Sequence, residues 1–191
     1  MIRWMMFLLF VVIADVQTAW SQRPKALPDF VTLQHAGSIG FASVGIGYQI
    51  SKRSLLSVHY GYVPEIRGGE LNIVAAKFLL NTWSLEISDR VQLNPLRFGL
   101  MTSYHFGREF RSRWPTHRYP DGYYWWKTSL RAHLLTETSL TVQLRRHAFH
   151  SLTGYIELNT NELYLISYFQ NHRSLSLADI IKVGYGVRAN F

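Results

Sequence analysis

The chain has 191 residues, enough for one domain and a single closed sheet, and carries a formal charge of +8. The absence of cysteine excludes disulfides, thiolate metal sites, cysteine nucleophiles and a lipid-modified N-terminal cysteine. Basic residues are scattered singly through alternating segments, not clustered on a helix face or in a tail, so nucleic acid is not an expected partner.

The chain opens with Met1, Ile2 and Arg3, then an apolar run from Trp4 to Ala14. Asp15 interrupts that run short of the roughly 20 residues a spanning helix needs. Small residues at Ala19 and Ser21 suit cleavage after Ser21, so residues 1–21 read as a secretory signal peptide and 22–191 as the exported domain. Removing Arg3 and Asp15 together leaves the charge unchanged. No later segment has transmembrane-helix length, so any bilayer crossing falls to strands.

Residues 22–37, with Pro24 and Pro28, read as a flexible lead into the sheet. From Gly40 the side chains alternate: Ala42, Val44, Ile46, Tyr48 and Ile50 against Ser43, Gly45, Gly47 and Gln49. Residues 51–54 turn the chain into a returning strand of Leu56, Val58, Tyr60 and Tyr62, making a hairpin. Pro64 to Gly69 breaks it. Residues 70–80 are apolar on both faces; alone they fit a buried helix, but their place among hairpins and their lack of caps predict a strand. Residues 81–94 fit a loop hairpin or an extra strand pair, and Pro95 demands an edge, a bulge or a strand start. Phe98 to Phe106 alternate again.

The longest polar connection spans 107–122, and the next strand opens at Tyr123 and runs to Leu134. Thr136–Ser139 predicts a tight turn, followed by a strand from Leu140 to His147. Two further strands are predicted over 153–158 and 162–170, separated by the turn Asn159–Asn161. A loop over 171–178 precedes the last strand, and no helical period is evident in the exported part.

That last strand runs Ile181, Lys182, Val183, Gly184, Tyr185, Gly186, Val187, Arg188, Ala189, Asn190, Phe191, apolar at every odd position. It resembles the closing strand of small bacterial outer-membrane β-barrels, which ends in an aromatic residue read by the assembly machinery. The resemblance covers the exported part as a pattern and is specific at this strand, where Tyr185 and Phe191 would form the assembly signal. It implies an all-β fold: a single antiparallel transmembrane β-barrel of eight strands, with ten as the rival count. Apolar residues would meet lipid and polar ones would line the lumen. The eight-strand count as drawn sets residues 107–121 on the periplasmic side, where short turns are expected.

On that register His59, His105, Lys127, Arg131, His133, Arg145, His147, Lys182 and Arg188 face the lumen. The histidines lack metal-ligand spacing. The paired basic positions Lys127/Arg131 and Arg145/Lys182/Arg188 could bind an anion, but pairing with carboxylates such as Glu157 is the stronger expectation, because unpaired charge in a closed lumen is costly. Trp114, Tyr119, Tyr123, Tyr124, Trp125 and Trp126 form an aromatic interface belt or a stacking surface for headgroups or sugars. The resemblance implies outer-membrane lipid, lipopolysaccharide and the barrel-assembly machinery as partners, no cofactor, and a structural or surface-contact role. Two alternatives stand beside it. A lipid A deacylase-like enzyme requires a lipid-facing Ser-His-acid set, and none is evident. A soluble lipocalin-like carrier requires an empty apolar cavity and a polar exterior.

Overall fold

The structure is a computed structural model and describes residues 27–67, 70–106, 129–144 and 148–191. The signal-peptide segment, the aromatic stretch from Trp114 to Trp126, and Lys127, Arg145 and His147 fall outside the described residues.

Among the described residues nine strands appear in chain order: β1 (Phe30–Ala36), β2 (Ala42–Ser51), β3 (Ser54–Val63), β4 (Leu71–Asn81), β5 (Leu85–Ser88), β6 (Val91–Phe106), β7 (Leu130–Gln143), β8 (Ser151–Asn161) and β9 (Lys182–Asn190). All neighbours pair antiparallel. The ring closes where β1 meets β9 and where β4 meets β6, giving an eight-stranded barrel. The short β5 stands outside the ring and extends the foot of β6 as a hairpin.

Strand periodicity builds the wall. Along β2, Ser43, Gly45 and Gly47 are buried inward while Val44, Ile46 and Tyr48 are exposed outward. β3 repeats this, with Ser57 and His59 inside and Leu56, Val58 and Tyr60 outside. Pro95 is accommodated at an irregularity between Asn94 and Arg97, where the ladder to β7 shifts. There the Thr138 hydroxyl donates to the Pro95 carbonyl at 2.7 Å.

The lower mouth is where β1 begins and β9 ends. It carries the β2–β3 turn, the hairpin 82–90 and the connection 144–150. The upper mouth carries the turn after β1 and the connections 64–70, 107–129 and 162–181. The long connection therefore leaves β6 and rejoins β7 at the end opposite the one expected from sequence.

That correction follows from the first of four misread segments. Residues 30–36 are not a flexible lead: they form β1, which pairs with β2 on one side and with β9 on the other. Thr136–Ser139 is not a turn but the middle of a single strand β7, its Glu137 and Ser139 pointing into a polar lumen. Residues 162–170 are not a strand. They form the helix α1 (Glu162–Gln170), begun by the Asn161 side chain, which accepts from the Tyr164 backbone N–H at 2.9 Å. A second helix, α2 (Leu177–Ile180), follows, capped reciprocally by Ser176 and Asp179. Asn159–Asn161 ends β8 and caps α1 instead of forming a turn.

Candidate functional site

The axis of the barrel is a stack of polar layers. At the top the turn Gly37–Ile39 folds down into the lumen and touches β3, β4, β8 and β9. It is reached through Ala36 at φ 59° and Gly37 at φ 77°, the left-handed region that reverses the chain. Ile39 is fully buried in one apolar cluster with Ala75, Leu79, Met101 and Leu135, and the Ser38 hydroxyl donates to Asn159 Oδ1. Gly61 is required opposite it, since a Cβ there would stand 1.7 Å from the Ile39 carbonyl oxygen.

Beneath the turn lies the first ion pair. Lys77 Nζ stands 2.5 Å from Glu157 Oε2, with the two side chains 2% and 0% exposed. Lys77 also donates to Gln34 Oε1 at 3.1 Å, while Asn159 Nδ2 donates to Glu157 Oε1 at 3.1 Å. Tyr155 donates from its hydroxyl to the same Gln34 oxygen at 3.1 Å and shares a 2.8 Å hydrogen bond with Thr32.

One layer lower a single carboxylate serves two guanidinium groups. Glu137 accepts from Arg188 Nη2 at 2.9 Å and from Arg97 Nη1 at 2.9 Å. The Arg188 guanidinium also lies over the rings of Phe30 and Tyr155, at 5.1 and 5.0 Å from their centroids. The aromatic faces complement a weakly hydrated cation that has lost its water.

The residues singled out from sequence are distributed through this column. His59 is buried and shares a 2.9 Å hydrogen bond with Ser57 through Nε2; His133 does the same with Ser103 at 2.8 Å. Both pairs lie inside the barrel, and Nδ1 of each histidine has no partner. They therefore lack both the lipid-facing position and the orienting acid that the deacylase-like alternative requires. His105 and Arg131 lie higher, near the upper mouth, where Arg131 pairs with Glu162 of α1 at 3.1 Å. Lys182 is exposed at that mouth, 5.2 Å over the Tyr164 ring. It is six residues up β9 from Arg188, roughly 20 Å along an extended strand, so the two cations form no common group. Glu157 pairs with Lys77, not with the cations expected. Tyr185 points outward, and Phe191 packs against Phe149 at the lower mouth with ring centroids 5.1 Å apart.

Sequence reading missed Lys77, Arg97 and Glu137 as the core of the network. Lys77 was legible: it is the one charge in the strand Leu71–Asn81 and shares its face with Ile73, Ala75 and Leu79. Glu137 was hidden by the turn assigned across it.

The outer surface has the opposite character. Leu33, Val44, Val58, Leu100, Leu134, Leu140, Ile156 and Val187 are all exposed on the wall. Towards the upper mouth the wall carries Tyr60, Tyr62, Tyr104, Phe106 and Tyr185, and Tyr60 donates to Asn72 at 2.6 Å. Such a surface is the reverse of a soluble carrier's, and the lumen is polar instead of an empty apolar cavity.

No protein-family description matches the chain, and no curated protein does. Among solved structures it is similar to a de novo designed transmembrane β-barrel, with 13% identity, 89% of this chain and 98% of that one covered, and a TM-score of 0.41. It is likewise similar to the N-terminal β-barrel domain of Pseudomonas aeruginosa OprF, with 12% identity, 86% and 98% coverage, and a TM-score of 0.41. The architecture rests on the strand ladder of this chain itself, closed through β1–β9 and β4–β6.

Proposed function

We propose that the chain is an integral outer-membrane β-barrel protein, exported by residues 1–21, with a structural or lipopolysaccharide-contact role. The observation that carries this reading is the inverted wall: a continuous exposed apolar belt around a column of buried ion pairs. In water such a belt would far exceed the few hundred Å² of contiguous apolar surface that a soluble monomer leaves exposed. In a bilayer it is the solvated face. The aromatics near the upper mouth support the same placement, since tyrosine and phenylalanine gather at the lipid interface.

Surface contact is supported by the connection 107–129, which joins the barrel at the upper mouth. Its sequence holds Arg108, Arg111, Arg113, Arg118 and Lys127 against Glu109 and Asp121, interleaved with Trp and Tyr. Basic and aromatic residues together suit phosphorylated lipid headgroups and sugars. Insertion by the barrel-assembly machinery, with Tyr185 and Phe191 as the signal, belongs to the same proposal.

Cell fractionation with a carbonate wash tests the membrane assignment, and heat-modifiable gel mobility tests barrel closure. The protein is expected in the washed outer-membrane pellet, migrating faster unheated than boiled. A protein that stays monomeric in detergent-free buffer would overturn the assignment. The contact role predicts a higher unfolding midpoint in vesicles containing lipopolysaccharide than in phosphatidylcholine alone; equal midpoints would remove it.

A further inference from the structure

Among the described residues the lumen is a cup, closed above and open below. Its top is stopped by the inward turn Gly37–Ile39 and by the Lys77–Glu157–Gln34 layer. Its lower half opens into a cavity of about 380 Å³, which reaches the lower mouth past the exposed Gln49, Lys52 and Gln143.

The lining of this cavity is strongly one-sided. Lys52, Arg53, Arg97 and Arg188 all border it, and among the described residues no Asp or Glu side chain does. The nearest described carboxylate in the network is Glu137, already engaged by Arg97 and Arg188. Four cationic side chains thus border the cavity, and the described side-chain carboxylate they meet is Glu137, above Lys52 and Arg53. Lys52 and Arg53 have no ion-pair partner among the described residues.

A second observation is independent of charge. Asn94 is 1% exposed and borders the cavity, yet its Nδ2 has no acceptor; only its Oδ1 is used, accepting from Ser84 at 2.7 Å. Arg188, 5% exposed, likewise leaves Nε without a partner. Buried donors are nearly always satisfied, so two unsatisfied donors on residues that border a cationic cavity point to an acceptor nearby. An acceptor that neutralises cations while taking several N–H bonds at once is an oxyanion, and guanidinium groups match its geometry.

We propose that the lower half of the lumen is a binding site for a small water-soluble oxyanion of the phosphate class, held by Asn94, Arg97 and Arg188 and admitted past Lys52 and Arg53. The site is a blind cup, so it captures an anion from the compartment the lower mouth faces and does not conduct it through the barrel. This goes beyond the membrane reading and holds whichever compartment that is.

The test uses the full chain folded in a phosphate-free maltoside detergent, titrated with inorganic phosphate by calorimetry at low ionic strength. One bound phosphate per chain is expected. The double variant Lys52→Gln/Arg53→Gln alters exposed turn positions and is expected to keep the fold while weakening binding about tenfold. Arg90→Gln removes an exposed charge outside the cavity and is expected to leave binding unchanged. Asn94→Asp places a carboxylate in nearly the same volume and is expected to abolish binding, with heat-modifiable mobility confirming a closed barrel. Failure of the wild-type protein to bind phosphate would overturn the proposal, as would equal weakening by Arg90→Gln, which would reduce the effect to net charge. Binding of short-chain phosphatidic acid without inorganic phosphate would transfer the site to a lipid headgroup and overturn the free-ion assignment.

Discussion

Leucine 100 gives the sharpest test of which solvent the wall faces. It is 59% exposed near the middle of β6, with Phe78 and Leu134 as its ladder neighbours. Phe106 sits six residues further up the same strand on the same face. At about 3.3 Å per residue and a tilt of about 40°, the two differ by roughly 15 Å in depth, about half the thickness of a hydrocarbon core. Arginine at the midplane of a barrel wall costs about 2–4 kcal/mol, and near the interface about 0–1 kcal/mol. In water, replacing an exposed leucine elsewhere on a protein usually changes stability by less than about 0.5 kcal/mol. Leu100→Arg should therefore lower the unfolding free energy by about 3 kcal/mol, roughly a hundredfold in the equilibrium constant, and Phe106→Arg by much less. Urea unfolding in phosphatidylcholine vesicles, followed by tryptophan fluorescence and gel mobility, measures both. Equal costs at the two positions, or a neutral Leu100→Arg, would refute the lipid-facing wall.

Three further outcomes follow from the network and its surroundings. Glu137→Leu strands two guanidinium groups in the lumen and should cost about 3–5 kcal/mol in the same unfolding assay, while Glu137→Gln, which keeps an acceptor in place, should cost less. Gly61→Val forces a side chain against the Ile39 carbonyl and should destabilise the barrel by about 1–3 kcal/mol, lowering the urea midpoint; an unchanged midpoint would show that the inward turn is not seated there. The Asp179 carboxyl is held below the usual aspartate range by the Ser176 backbone N–H and then by its hydroxyl. Its folded-state pKa is depressed, so its support of the α2 cap is present above the ordinary aspartate range and lost as pH falls through the lower value. The protection of the Ser176 amide against hydrogen exchange, relative to its intrinsic rate at each pH, should fall on that acidification, and Asp179→Asn should remove this change in protection.

Much of the wall was legible because a strand writes its two faces into alternate positions. The pair β2–β3, the alternating part of β6 from Phe98 to Phe106 and the outward set of β9 follow from that alternation alone, and Pro95 announced the irregularity in β6. Local signals failed where polar residues serve two purposes. Thr136, Glu137, Thr138 and Ser139 have turn composition, yet in a barrel with a wet axis they are ordinary mid-strand residues. Glu162–Gln170 is apolar enough for a strand, but Asn161 caps it and Glu162 bonds back to Arg131 and the Ala132 amide, so it winds into a helix.

The amino-acid sequence by itself determined the period-two wall, its apolar face and the absence of thiol chemistry, because those are properties of neighbours along the chain. Only the tertiary structure decided which strands close the ring, which mouth carries the long connection and which charges meet. Lys77 and Glu157 are 80 residues apart, and Glu137 and Arg188 are 51 apart. Such pairs exist only once the register of every intervening strand is set, and no local pattern encodes that sum of registers.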